Sequence, residues 1–150
     1  MSAEVEKTTP KILILASLSG GYRGADSAGQ SHLEYPTNTF ILPAMTTAIF
    51  TPQFYLDAFA KGIAGIIVMY SGTDSPYKGE ADRTAELINQ TYILMREQGL
   101  DPLRLRLAAI CTVCSRPFLN EISNMNKVLE EIDLKASPLS TLQSAQVQTA

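Results

Sequence analysis

Two short runs, Lys11–Ala16 (KILILA) and Gly65–Tyr70 (GIIVMY), are apolar almost throughout. A strand with one face in water alternates polar and apolar residues. An unbroken apolar run instead marks a strand covered on both faces, as in a parallel sheet between two helical layers. Helices must then lie between the strands, and the chain supplies them. Thr51 is placed to N-cap a helix with Pro52 in its first turn; this helix buries Leu56 and Phe59 and ends near Gly62. Thr84, Ile88, Thr91 and Met95 share one face of a helix over Gly79–Gln98, which Gly99 and Pro102 stop. Phe118, Ile122, Met125, Leu129 and Ile132 stripe a last helix with Ser115 at its start. Ala25–Leu33 reads as a short polar helix. Thr39–Leu42 reads as a strand stopped by Pro43, and Leu105–Ile110 as one near an edge, with Arg104 and Arg106 on its polar side. The expected architecture is α/β: a single three-layer domain with a four-stranded, mostly parallel sheet and flanking helices. Residues 11–133 would form it, after a disordered segment 1–10 and before a flexible tail 134–150 rich in Ser, Thr, Gln and Ala.

Composition excludes several function classes. The net charge is −3 with no basic patch, so a nucleic-acid partner is not expected. No apolar run approaches the roughly 18 residues of a membrane span. Met1–Pro10 is polar and holds Glu4 and Glu6, unlike a signal peptide, and the expected location is the cytoplasm.

Motifs of catalysis are sparse. The loop after the first strand holds Gly20, Gly21 and Gly24, but SLSGGYRG does not match G-x-G-x-x-G. No carboxylate stands in Phe40–Ala44 to meet a ribose. That loop is either a tight strand-to-helix turn or a small anion-binding module. Cys111 and Cys114 form a single C-x-x-C, which cannot supply the four ligands of a structural zinc. They are either an alternative redox pair, in a small thiol-redox protein, or two buried or partly buried thiols. His32, the only histidine, has no partner in sequence, and no G-x-S-x-G occurs. Asp74 is an isolated carboxylate in a strand-end loop. Glu80 and Asp82 suit the positive start of the long helix, and Glu130, Glu131 and Asp133 a solvated face. No catalytic and no metal-binding residue is assigned.

Longer motifs carry a resemblance. Ser17-Leu18-Ser19-Gly20-Gly21-Tyr22-Arg23-Gly24-Ala25-Asp26-Ser27-Ala28-Gly29, followed by Tyr35-Pro36, is similar to C-x-x-C-S/A-Y-x-G-A-D-x-A-G and a following tyrosine–proline. Met45-Thr46-Thr47-Ala48-Ile49-Phe50-Thr51-Pro52-Gln53-Phe54 is similar to M-C-S-G-R-x-D-P-x-F. Ala58–Val68 is similar to A-F-x-x-G-x-x-G-V-x-V, and Tyr70–Tyr77 stands where G-C-H-x-G-D-C-H-Y would follow. Arg83 and Gly99–Leu107 echo a later arginine and L-x-x-x-G-L/I-x-P-x-R-x-R-L. By these motifs Lys11–Met125 resembles the delta (iron–sulfur) subunit family of methyl-viologen-reducing hydrogenases.

That family delivers electrons to heterodisulfide reductases through a cysteine-held iron–sulfur cluster. Here the cysteine positions hold Ser17, Gly20, Thr46, Ser71 and Pro76, and both histidines are absent. A cluster needs about four thiolates, so no cofactor is expected. The resemblance implies a cluster-less, non-catalytic adaptor subunit of a heterodisulfide-reductase-like redox complex, in cytoplasmic sulfur oxidation. An electron-transfer subunit of a hydrogenase or heterodisulfide reductase complex is the alternative. The implied partners are heterodisulfide-reductase-like subunits, especially the flavin-bearing one. Tyr22, Arg23, Tyr35 and Tyr77, beside the former cluster positions, are the expected interface.

Overall fold

A computed structural model describes residues 9–111 and 115–135. It contains β1 (Ile12–Ser17), α1 (Gly21–Gln30), β2 (Thr39–Ala44), α2 (Pro52–Ala60), β3 (Gly65–Tyr70), α3 (Glu80–Glu97), β4 (Leu105–Ala109) and α4 (Ser115–Lys135). Short 3-10 turns lie at Thr47–Ile49, Gly72–Asp74 and Pro102–Arg104.

The sheet order is β2-β1-β3-β4 and every pairing is parallel. "Mostly parallel" thus becomes wholly parallel. The two apolar runs are the central strands, where both faces need cover. Ile12, Ile14, Ile67 and Met69 pack under α1 and α4 with the whole Phe118–Ile132 stripe. Leu15, Ile66 and Val68 pack on the opposite face with Tyr55, Leu56, Ile88 and Met95 of α2 and α3. Each fully buried Ile or Leu contributes roughly 2 kcal/mol from removal of apolar surface from water.

Local signals fix the ends of the helices. Thr51 Oγ accepts the Phe54 N–H at 3.3 Å, with Pro52 in the first turn. Helices α1, α2 and α3 all end in the same paired hydrogen bonds. Leu33 N–H donates to Ala28 O, Ile63 N–H to Ala58 O and Leu100 N–H to Met95 O, at 2.9, 3.2 and 2.8 Å. The residue before each of these takes a left-handed conformation: His32, Gly62 and Gly99, at φ 53°, 104° and 74°. His32 is therefore a helix terminator rather than a helical residue, and α1 runs from Gly21 to Gln30 instead of Ala25 to Leu33.

Pro43 does not stop β2. Ile12 N–H donates to Asn38 O and Leu18 N–H to Ala44 O, so even-numbered residues of β2 turn their backbone groups toward β1. Pro43 faces the open edge, where a missing N–H breaks no ladder bond and blunts the edge. Phe40 and Leu42, in register with Leu13 and Leu15, lie on the α2–α3 face but remain exposed, because those helices do not reach over β2.

Candidate functional site

In a β2-β1-β3-β4 sheet the chain reverses direction beside β1, and the loops after β1 and β3 flank the crevice where such folds place ligands. The carboxyl ends of β1, β2 and β3 carry all five positions that the resemblance singles out. Ser17 ends β1 and Gly20 caps α1. Thr46 caps the 3-10 turn after β2, Ser71 follows β3, and Pro76 lies farther along that loop.

These loops touch. Ser19 Oγ donates to Ser71 Oγ at 3.0 Å. A β-carbon at Gly20 would lie 2.7 Å from both Cα and N of Ser71, so only glycine allows this approach. One at Gly21 would lie 2.4 Å from Met69 Cβ, which seats α1 directly on β3. The Gly20–Gly21 pair is thus a packing device between strand ends, and it leaves no cradle for an anion at Gly20.

The residues do not fit an iron–sulfur cluster. Ser17 is fully buried, and among the described residues its hydroxyl has no partner. Thr46 Oγ accepts the Ala48 N–H at 3.2 Å. Ser71 Oγ is bound to Ser19, Gly20 has no side chain, and Pro76 has no donor atom. Hydroxyls are hard, protonated oxygen ligands, whereas a cluster is held by soft thiolates. Among the described residues no group of three or more His, Cys, Asp or Glu converges for a metal.

Beside these loops Leu18, Ser19, Arg23, Met45, Pro76 and Tyr77 line a depression of about 200 Å³. Its apolar members Leu18, Met45 and Tyr77 are between 39% and 64% exposed. Tyr22 and Tyr35 line a neighbouring depression along α1 and β2. Arg23 and Tyr77 of the expected interface therefore share one depression, Tyr22 and Tyr35 the other, and α1 contributes to both. Tyr35 also packs edge-to-face on Phe118, at 6.0 Å and 80°, so it anchors α4 as well as facing outward.

Glu80 does more than the sequence indicates. It stands in the first turn of α3 with Asp82, as expected, but it is only 3% exposed. Its Oε1 accepts the buried Thr47 N–H at 3.0 Å, while Thr47 and Thr84 hydroxyls bond at 2.9 Å. Together these fasten the loop after β2 to α3. No periodic signal reveals a buried glutamate, because its partner lies 33 residues away. Tyr55, also missed in the sequence, is fully buried with no partner for its hydroxyl among the described residues, and burial pushes its phenol pKa up. Cys111 lies exposed just past β4 and is not a free thiol, so the reading of a buried or partly buried thiol does not hold for it. Cys114 lies outside the described residues, as do the expected disordered Met1–Thr8 and residues 136–150 of the tail. No helix among the described residues is long and apolar enough to cross a membrane.

Comparison with known proteins supplies relatives. The chain is 32% identical over 115 residues to one of the subunits of the ferredoxin:CoB-CoM heterodisulfide reductase of Methanosarcina mazei, covering 74% of this chain. The corresponding part of the ferredoxin/F420H2-dependent CoB-CoM heterodisulfide reductase of Methanosarcina acetivorans matches to the same extent. The chain spans only 14% of the length of these two relatives. It is 28% identical over 135 residues to the vhc iron-sulfur subunit of the F420-non-reducing hydrogenase of Methanococcus voltae, covering 87% of this chain and 93% of that one. The family model for the methyl-viologen-reducing hydrogenase delta subunit matches residues 12–133, which takes in every strand and nearly all of α4. The chain belongs to the methyl-viologen-reducing hydrogenase delta subunit family.

Proposed function

We propose that this protein is a cluster-less, non-catalytic adaptor that docks through the carboxyl edge of its sheet onto a heterodisulfide-reductase-like subunit, in a cytoplasmic sulfur-oxidising complex. The observation that carries this reading is the combination at one edge of a lost donor set and an exposed apolar rim. Ser17, Gly20, Thr46, Ser71 and Pro76 offer no thiolate, and the hydroxyls of Ser17, Thr46 and Ser71 are already buried or hydrogen-bonded. Around them Leu18, Tyr22, Met45, Ile49 and Tyr77 face solvent. Tyrosines and an arginine set among apolar residues are the composition of interface anchors. The relatives in which a similar segment forms 14% of a heterodisulfide reductase polypeptide support that polypeptide type as the partner. Its flavin-bearing character, and sulfur oxidation as the setting, follow from the resemblance.

The test is isolation of the tagged chain from its native host, with mass spectrometry of what accompanies it and iron assay of the separated chain. The expected result is a stoichiometric heterodisulfide-reductase-like subunit, no iron on this chain alone, and loss of that subunit in the Tyr22→Ala plus Tyr77→Ala variant. A clean monomer, or a complex untouched by the double substitution, refutes the docking. Stoichiometric iron on the separated chain refutes the cluster-less reading and returns the electron-transfer alternative.

A further inference from the structure

The two edges of the sheet are finished differently. At β2 the outward face carries Pro43. At the opposite edge, among the described residues, β4 pairs with β3 alone. Ile110 N–H donates to Tyr70 O at 2.9 Å, so Arg106, Ala108 and Ile110 turn their backbone groups toward β3. Leu105, Leu107 and Ala109 turn theirs outward. Leu105 is satisfied from within the chain: its N–H donates to Pro102 O and its carbonyl accepts the Tyr92 hydroxyl at 2.9 Å. Among the described residues no hydrogen bond meets the outward backbone groups of Leu107 and Ala109.

A groove of about 340 Å³ runs along this edge. Leu105 and Leu107 form its floor, with Tyr92 and Arg96 of α3 on one wall and Met125 and Val128 of α4 on the other. Arg106 is engaged by Glu121, but Arg96 has no acidic partner among the described residues, so the groove is net cationic. Unpaired strand edges bind extended segments as added strands: backbone bonds supply affinity and side-chain pockets supply selectivity.

We infer that the β4 groove receives a short extended segment, apolar with an acidic side chain opposite Arg96, as a fifth strand. We assign that segment to the heterodisulfide-reductase-like subunit. Only this source of the segment rests on the function proposed above. Other occupants fit less well. A second copy would present a β4 edge recessed between its own helices, and two recessed edges cannot meet. A strand following α4 at this edge would need a left-handed crossover, because α4 lies on the face of α1, whereas α3 lies on the other. The relatives that carry a similar segment as 14% of a longer polypeptide have additional chain joined to it, which is where such a strand would come from.

The test begins on the isolated full chain, titrated to millimolar with the N-acetylated, C-amidated peptide Val-Glu-Val-Thr-Val and followed by amide NMR. The Leu107 and Ala109 signals are expected to move most. Ala109→Pro, which removes one outward donor at a position where an edge strand tolerates proline, should weaken binding about five- to tenfold. Arg96→Glu should reverse the preference between this peptide and its Val-Lys-Val-Thr-Val counterpart. Unmoved Leu107 and Ala109 signals, or equal binding by Ala109→Pro, overturn the groove assignment. Hydrogen exchange in the purified complex then tests the source. Slowing of both amides by about tenfold or more relative to the free chain supports it. Unchanged exchange there overturns the assignment to that subunit, while peptide binding keeps the groove.

Discussion

Replacing Gly20 by alanine adds a single methyl group where the chain passes closest to the strand-end backbone of Ser71. That methyl would sit 2.7 Å from Ser71 Cα and N and 2.8 Å from Ser71 Cβ. Carbon atoms are comfortable at about 3.5–4.0 Å. One of the two loops must therefore retreat by roughly 1 Å. Overpacking of a well-filled site costs about 1–3 kcal/mol. The upper end applies here, since the obstacle is backbone rather than a mobile side-chain tip. Parting the loops also breaks the Ser19–Ser71 hydrogen bond, which contributes about 1 kcal/mol. The expected destabilisation is about 3 kcal/mol, read from urea unfolding with an unchanged slope. Gly29→Ala is the control. Nothing lies within 4 Å of its added methyl, and it sits in α1, so the fold should gain about 0.5–1 kcal/mol. A Gly20→Ala variant within 0.5 kcal/mol of the parent would refute the reasoning, because the loops would then be free to part. The same geometry bears on whether cysteines placed here could hold a cluster. The combined Ser17→Cys, Gly20→Cys, Thr46→Cys and Ser71→Cys variant should fail to take up iron and sulfide stoichiometrically, since the Gly20 position cannot carry a side chain without moving Ser71.

Tyr55→Phe removes a buried hydroxyl without a partner and should leave the fold equal or up to about 1 kcal/mol more stable in thermal unfolding. Because burial raises the folded-state pKa of Tyr55 above its ordinary value of 10.0, its contribution is intact below pH 10.0 and is lost as pH rises beyond it. The Phe variant should show a shallower loss of stability in alkali, and an unchanged alkaline profile counts against this. His32→Gly relieves a left-handed conformation on a residue with a side chain and should stabilise the chain by about 1 kcal/mol; a destabilised variant would mean that the imidazole makes a contact of its own. Glu80→Ala strands the buried Thr47 N–H and should cost about 2–3 kcal/mol, with raised hydrogen exchange confined to Met45–Phe50; uniform exchange changes would contradict a local fastening role.

Much of the fold was legible because burial along regular elements is periodic. The stripes Thr84–Met95 and Phe118–Ile132 are buried at every residue named for them, and Thr51 caps α2 as its side chain requires. The site was legible only in part. The positions Ser17, Gly20, Thr46 and Ser71 could be placed at strand ends, since strand ends follow from the apolar runs. That Gly20 touches Ser71 could not, because it is a contact between residues 51 positions apart, and no local pattern encodes it.

Sequence alone therefore determined what each segment would be: unbroken apolar runs as central strands, striped segments as covering helices, and a delta-subunit-like scaffold with no cysteine at Ser17, Gly20, Thr46, Ser71 or Pro76. Tertiary structure decided what the segments do to one another. Pro43 continues a strand because its nitrogen faces the open edge, Glu80 is buried because Thr47 meets it, and the β4 groove exists because α3 and α4 wall that edge on either side. Periodicity reports whether a side chain is covered. Only folding, which brings residues tens of positions apart into contact, establishes what covers it.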